Sequence, residues 1–439
     1  MLRLPPELQD EIISLLQYDK KSLSTCALVC RTLLPLCQKY LYAGVTIESI
    51  TRPNALSAIQ FQQILSKWTY LPGAVQYVEI IDTESSSIRG ETPEWLSRDW
   101  ALARCLPQLH SLKGLSIRYR QDLWENWEAL SEGLLRAIIE RLSSPSLAYL
   151  HIENVPLALL RFCPNIKYLS VAGHSTSVLN SNRVLFMPIP PIFQPPGGIC
   201  SPESLRIVVG SLPSPSGPTS WFLGLKANGI SFQKLKNLHA RVYGSLDQHG
   251  IIQSILGDCP NTLEEFVFDP SIETSWEPFS AGRLELGIMK RLRTLAVRMD
   301  IVFQSADQPN LGNWSESMPW FVGLLKTFAS AGRHPLEVLK IRINHATEDG
   351  LYNAEPWVEM ASFLGNNETF PLFRNLKLQF CSYSGQEKGI AAFSRLASDL
   401  ASRLEGVRVH AVFSEDGFQY GELCQFCPQL PQPLSGITF

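Results

Sequence analysis

A short pattern, apolar-x-x-apolar-x-apolar, returns along most of this chain, and no other feature limits the possible folds as much. Clear copies are Leu112-Leu115-Ile117, Leu147-Leu150-Ile152, Ile166-Leu169-Val171 and Leu235-Leu238-Ala240. They continue as Leu263-Phe266-Phe268, Leu292-Leu295-Val297, Leu336-Leu339-Ile341, Phe373-Leu376-Leu378 and Leu404-Val407-Val409. Weaker copies stand at Val75-Val78-Ile80 and around Leu205-Ile207. The last two apolar positions of each copy are two residues apart, the period of a strand with one buried face. Successive copies are separated by as little as 19 residues (Leu150 to Leu169) and as much as 44 (Leu295 to Leu339). Self-similarity on that scale marks an array of supersecondary units, none of which covers its apolar face until a neighbour stacks on it. The intervals leave room for a helix or a long loop, and helical spacing is visible over 127–142 and 390–404. The expected fold is therefore α/β: an irregular solenoid with parallel strands on the concave side and helices and loops on the convex side.

Cys-Pro elements precede several copies: Cys163-Pro164-Asn165-Ile166, Cys259-Pro260-Asn261 and Cys427-Pro428-Gln429-Leu430, with Cys105-Leu106-Pro107 a looser version. Pro/Gly/Ser-rich stretches at 188–198 and 211–221 read as loops around one weak copy, and 303–319 reads as another long loop.

The first forty-odd residues have a different grammar. Pro5 and Pro6 suit a first helical turn, where a missing N–H costs nothing, and Glu7, Asp10 and Glu11 put negative charge at the positive end of the helix dipole. Leu8, Ile12, Ile13, Leu15 and Leu16 follow at helical spacing. After a break at 18–22, where Asp19 or Ser22 can act as a cap, a second helix carries Leu23, Cys26, Ala27, Leu28 and Val29. Pro35 opens a third that runs to Tyr40-Leu41-Tyr42. Three helices of this length cannot bury enough surface to stand alone, so their remaining apolar faces must dock on the next domain or on a partner.

The string Leu4-Pro5-Pro6-Glu7-Leu8 with Ile12-Ile13, then Ala27-Leu28-Val29-Cys30-Arg31, then Tyr40-Leu41-Tyr42, resembles the F-box motif, most closely that of basidiomycete fungal F-box proteins. The Cys-Pro turns likewise resemble those entering the leucine-rich repeats of F-box proteins. The resemblance divides the chain into an F-box over 1–45 and an irregular leucine-rich-repeat domain over 46–439. It implies docking on a Skp-type adaptor and, through it, on a cullin, with the repeats presenting a protein substrate for ubiquitination. Carried over position by position, it assigns adaptor contact to Leu4, Pro5, Leu23, Leu28, Val29, Cys30 and Leu33. Leu33 stands where the family often has Trp, which leaves less apolar area at that point. A scaffold or sensor with no ligase role would share the same fold.

Bulk properties narrow the rest. A formal net charge of −3 over 439 residues gives no global argument for nucleic acid or an anionic membrane. The N-terminal residues hold no apolar core of signal-peptide length, and no run long enough to span a membrane occurs, so the expected compartment is cytoplasmic or nuclear. The ten cysteines then read as reduced and mostly buried. No nucleophile motif, Walker sequence or dinucleotide glycine signature is present, so neither catalytic residues nor cofactors are expected. Cys424-x-x-Cys427 has metal-like spacing but lacks a second pair of ligands, so no metal site is assigned.

The strand copies carry a charge signal of their own. The residue between the last two apolar positions of each copy, and the one that follows them, should share one sheet face. Basic residues dominate that set: Arg118, Arg206, Arg241, Arg298, Lys340, Arg342, Lys377 and Arg408, with His239 and His410, against Glu79, Glu153 and Asp269. A stack would merge them into a stripe suited to an acidic or phosphorylated substrate, with Arg241, Arg298, Lys340, Arg342, Lys377 and Arg408 as contacts. Long basic side chains that merely cover a strand surface, with solvated heads, give the same pattern. On the first reading, reversing charge at Arg298 and Arg342 abolishes capture and leaves the fold intact.

Overall fold

The computed structural model describes residues 4–17, 19–48, 56–82, 100–118, 130–153, 155–173, 198–209, 225–243, 247–271, 284–300, 317–344, 354–381 and 387–414. These residues form two compact units, one reaching to Lys167 and including 198–200, the other comprising Tyr168 onward and the rest.

The first unit opens with helices α1 (Pro6–Ser14), α2 (Lys20–Val29) and α3 (Leu34–Leu41). Pro6 starts α1, and Asp19 caps α2 by accepting the Ser22 N–H at 3.0 Å. Ile13, Leu23 and Cys37 form their shared core, with Leu16, Cys26, Ala27, Leu33, Leu36, Tyr40 and Leu41 packed around it. The Lys39 ammonium on α3 reaches the Asp10 carboxylate on α1 at 3.1 Å and ties the two helices together. Four strands follow, β1 (Gly44–Glu48), β2 (Tyr77–Ile81), β3 (Gly114–Arg118) and β4 (Tyr149–Glu153), each pairing in parallel with the next. Helices Ala58–Lys67, Leu71–Ala74, Trp100–Cys105 and Glu132–Leu142 lie between them in sequence. Ser57 and Gln60 close a capping box at the first of these. Gly114 is the position where a close approach demands glycine, since a Cβ there would lie 2.5 Å from Cδ1 of Tyr77 on β2 and 3.2 Å from Cδ1 of Tyr149 on β4.

In the second unit, β5 (Tyr168–Gly173), β6 (Ser204–Val209), β7 (Asn237–Tyr243) and β8 (Glu265–Ser271) run in parallel in chain order. They continue into β9 (Thr294–Asp300), β10 (Val338–Asn344), β11 (Asn375–Cys381) and β12 (Arg408–Ser414). One buried row crosses this sheet from Leu169 through Leu205, Leu238, Phe266, Leu295 and Leu339 to Leu376, and the row above it runs from Val171 to Leu378. Each such side chain contributes about 1.5–3 kcal/mol by leaving water. Helices Asp247–Asp258, Ser317–Lys326, Ala354–Leu364 and Glu387–Arg403 bury one face apiece, for instance Trp357, Met360, Ala361 and Leu364.

One backbone device repeats at the strand entrances. The carbonyl of the residue just before a strand accepts two successive N–H groups from the next strand's entrance: Ala43 from Gln76 and Tyr77, Lys113 from Ala148 and Tyr149, Lys236 from Glu264 and Glu265, Glu337 from Arg374 and Asn375. That fork sets the register of each neighbour. In the second unit the same entrances carry side chains of alternating sign, with Lys236 held to Glu203 at 2.7 Å and Arg293 to Glu337 at 3.6 Å. The final entrance turns at Gly406, whose φ of 77° suits glycine.

Ten of the eleven sequence copies place their last two apolar positions in strands. The last, Leu404-Val407-Val409, is out of step with β12, where only Val409 falls within the strand, and β1 is a further described strand that the pattern does not reveal. The repeated parallel sheet is thus established. The Cys-Pro cysteines within the described residues are buried, and the Cys163 and Cys259 thiols donate to the carbonyls four residues back. Of the expected loops, 188–197, 211–221 and 303–316 lie outside the described residues, as do Cys424 and the Cys427-Pro428 element. Residues 317–319 begin the helix Ser317–Lys326 and are not loop. No helix among the described residues is long and apolar enough to cross a membrane.

Candidate partner-binding surfaces

The three N-terminal helices divide their aliphatic residues unevenly. Ile13 of α1, Leu23 of α2 and Cys37 of α3 fill the core, while Leu8, Ile12 and Leu15, spaced i, i+4 and i+7, stay on the outside of α1. Leu4 is 50% exposed, and at the end of α2 Leu28 and Val29 are 88% and 78% exposed. Six large aliphatic side chains within about 25 residues of chain are more than scattered surface leucines explain. Of the seven positions assigned to adaptor contact, Leu4, Pro5, Leu28 and Val29 are at the surface. Cys30 is half-buried, its Sγ 2.8 Å from the Thr32 hydroxyl, a contact that together with the Thr32 and Leu33 N–H groups lowers the thiol's pKa. Leu33 is half-buried against the helix core. Leu23 is fully buried there and so serves the packing of the three helices rather than an outward face. The helical spacing on α1 marks Leu8, Ile12 and Leu15 as additional surface members.

The strand face resolves into rows. In the first unit Thr46, Glu79, Ser116 and His151 form one row, and Glu48, Ile81, Arg118 and Glu153 the next. Arg118 lies between two acids, 2.8 Å from Glu153 and 3.5 Å from Glu79. In the second unit one row reads Ser170, Arg206, His239, Val267, Ala296, Lys340, Lys377, His410. The row above it includes Arg241 opposite Asp269, and Arg298 opposite Arg342 and then Gln379.

Those rows place the six expected contacts in three different settings. Arg241 and Arg298 are only 7% and 9% exposed, and both approach the fully buried Asp269, at 3.5 and 3.3 Å. His239 beside them is buried too, and desolvation, aided by Arg206, Arg241 and Arg298, pushes its pKa down to about 3, so the ring is neutral. Lys340 is half-buried and reaches across β9, where Ala296 is small, to Glu265 at 3.2 Å. Arg342 is half-buried. Only Lys377 and Arg408 are exposed. Arg298→Glu would therefore place two carboxylates together inside the protein, so the expectation that charge reversal there spares the fold does not hold. Arg408 also sits one row away from its expected place. It pairs with Asn375, and His410 is the residue beside Lys377.

Chemically these surfaces offer apolar area and dispersed charge. Among the described residues no group of three His, Cys, Asp or Glu side chains is placed to hold a metal ion. Burial raises the Cys163 thiol, and raises Cys200 and Cys259 to about 12, which makes them poor nucleophiles. A scan of protein-family models finds no match to this chain, and a search of curated proteins finds none either.

Proposed function

We propose that this chain is a substrate receptor of a cullin-RING ubiquitin ligase: an F-box at its N-terminus docks on a Skp-type adaptor, and leucine-rich repeats hold a protein substrate. The observation that carries the reading is the outward aliphatic surface of Leu4, Leu8, Ile12, Leu15, Leu28 and Val29 on a helical unit that already has its own core. Leaving such side chains in water forgoes the stabilisation that burial brings, and a protein partner that covers them recovers it. The F-box-like order of Leu4, Leu8, Ile12, Leu28 and Val29 supports the adaptor as that partner. The receptor role needs binding surfaces and leaves the transfer chemistry to other subunits, in the cytoplasm or the nucleus.

Co-purification with a Skp-type adaptor tests this. The intact chain should retain adaptor and cullin, and Leu4→Asp with Leu28→Asp should lose both, because each change sets an unpaired charge in an apolar contact. Both residues are exposed, so the variant should keep its fold, as read by circular dichroism. Adaptor retained equally by parent and variant, or by neither, rules the proposal out.

A further inference from the structure

The cations on the strand face of the second unit are not equivalent, and the difference locates a binding site. On β7 to β9, Arg241 and Arg298 are buried against Asp269. On β10, Lys340 is drawn back toward Glu265. At the strand entrances Lys236 and Arg293 meet Glu203 and Glu337. The series of paired charges stops at β11 and β12. There Lys377, Arg408 and His410 are exposed, and none of them has an acidic partner among the described residues. Lys377 and His410 are direct register neighbours, and Arg408 lies two residues before His410 on the same face. Gln379 and Asn375 flank Lys377 on that face and add amide donors and acceptors. Arg374, exposed at the entrance to β11, adds to the local positive field.

We infer that the face of β11 and β12 built from Lys377, Arg408 and His410 is the site that captures the substrate, and that it takes a peptide segment rich in Asp and Glu. Capture of a substrate rests on the receptor reading above; the charge argument for an acidic peptide does not. Neighbouring strands are about 4.8 Å apart, and same-face residues along a strand about 6.6 Å apart. These side chains are therefore rooted over a patch with the spacing of alternate side chains in an extended peptide. They are an ammonium and a guanidinium rooted in different rows of neighbouring strands, with an imidazole beside the ammonium. A spread of single charges matches several carboxylates better than one phosphate. The more deeply set Arg241 and Arg298 take no part.

Fluorescence anisotropy with the full chain and no adaptor tests the assignment. The probes are labelled twelve-residue peptides: one with alternating Glu, its Gln counterpart, and the Gln peptide carrying a single phosphoserine. The Glu peptide should bind more tightly than the other two and weaken as salt rises. Lys377→Glu with Arg408→Glu should weaken it about tenfold or more, whereas Arg136→Glu, on the helix Glu132–Leu142, should leave it unchanged. If the double reversal perturbs folding, Lys377→Gln with Arg408→Gln should still give a clear loss. Equal binding of the Glu and Gln peptides, or of parent and variants, overturns the site, and preference for the phosphoserine peptide overturns the carboxylate assignment. Adaptor docking is read separately by co-purification, so a negative result in one assay leaves the result of the other intact.

Discussion

His334 shows how much a single side chain can tie together. Its backbone N–H donates to the Thr369 carbonyl at 2.8 Å, its ring stands 4.3 Å from the Phe328 ring, and Nε2 lies 2.9 Å from the Met289 carbonyl. A carbonyl only accepts, so Nε2 carries a proton and donates it to Met289. Burial lowers the pKa to about 4, from 6.5 for a free histidine, despite the opposing hydrogen bond to Met289. As pH falls, the unfolded chain takes up this proton first. The stabilisation is whole above pH 6.5 and is lost as pH drops toward 4, for a total of about 3 kcal/mol. Urea unfolding at pH 7 and at pH 4.5 should show that loss in the parent and a smaller one in His334→Gln. An equal loss in both would mean other groups set the acid limit. His239 adds a contribution of the same sign, which the comparison cancels. Neither role was legible in the sequence, where His334 precedes a proline in an unremarkable stretch. Burial depends on neighbours 36 to 45 residues away, at Phe370 and Met289.

At the scale of elements, the strands were legible and the side chains' surroundings were not. A period of two identifies a face, and the in-register pairing from β5 to β11 places Arg206 and Lys340 on one row, as the alternation requires. Alternation says nothing of how deep a face lies, so Arg241 and Arg298 read as surface contacts although they lie inside. The slip at β12 has a local cause, since Val407 and Val409 mimic the apolar pair while Val409 and Ala411 occupy it. The strand β1 was hidden because Gly44–Glu48 directly follows α3 and merges with the helical pattern. The N-terminal helices were legible in extent, and depth again decides their roles. Leu23→Ala should cost about 2–5 kcal/mol of the helical unit's stability by opening a cavity beside Ile13 and Cys37. Leu28→Ala, at a site 88% exposed, should cost less than about 0.5 kcal/mol and still weaken adaptor binding. Denaturant unfolding of both variants checks the contrast, and similar losses would mean that Leu28 is packed in solution.

For the molecule as a whole, the consequence of stacking is that stability is a matter of nearest neighbours. Among the described residues, β6 to β11 each pair only with the strand before and the strand after in the chain, so damage in one should weaken its neighbours most. Phe268 of β8 is fully buried and stacks on Phe266 with ring centroids 5.8 Å apart. Phe268→Ala removes about 3–5 kcal/mol of packing at that point. Native-state hydrogen exchange should then rise in β7, β8 and β9, with β11 and β12 closer to their parent values. A uniform rise from β5 to β12 would mean that the sheet opens as one cooperative block. The distinction bears on function, because β11 and β12 carry the exposed cations. A stack that frays locally can lose order near β8 and keep its peptide site, whereas a single block cannot. Peptide binding by Phe268→Ala, measured beside the exchange, separates the two: retained affinity belongs to the local stack, and parallel loss to the block.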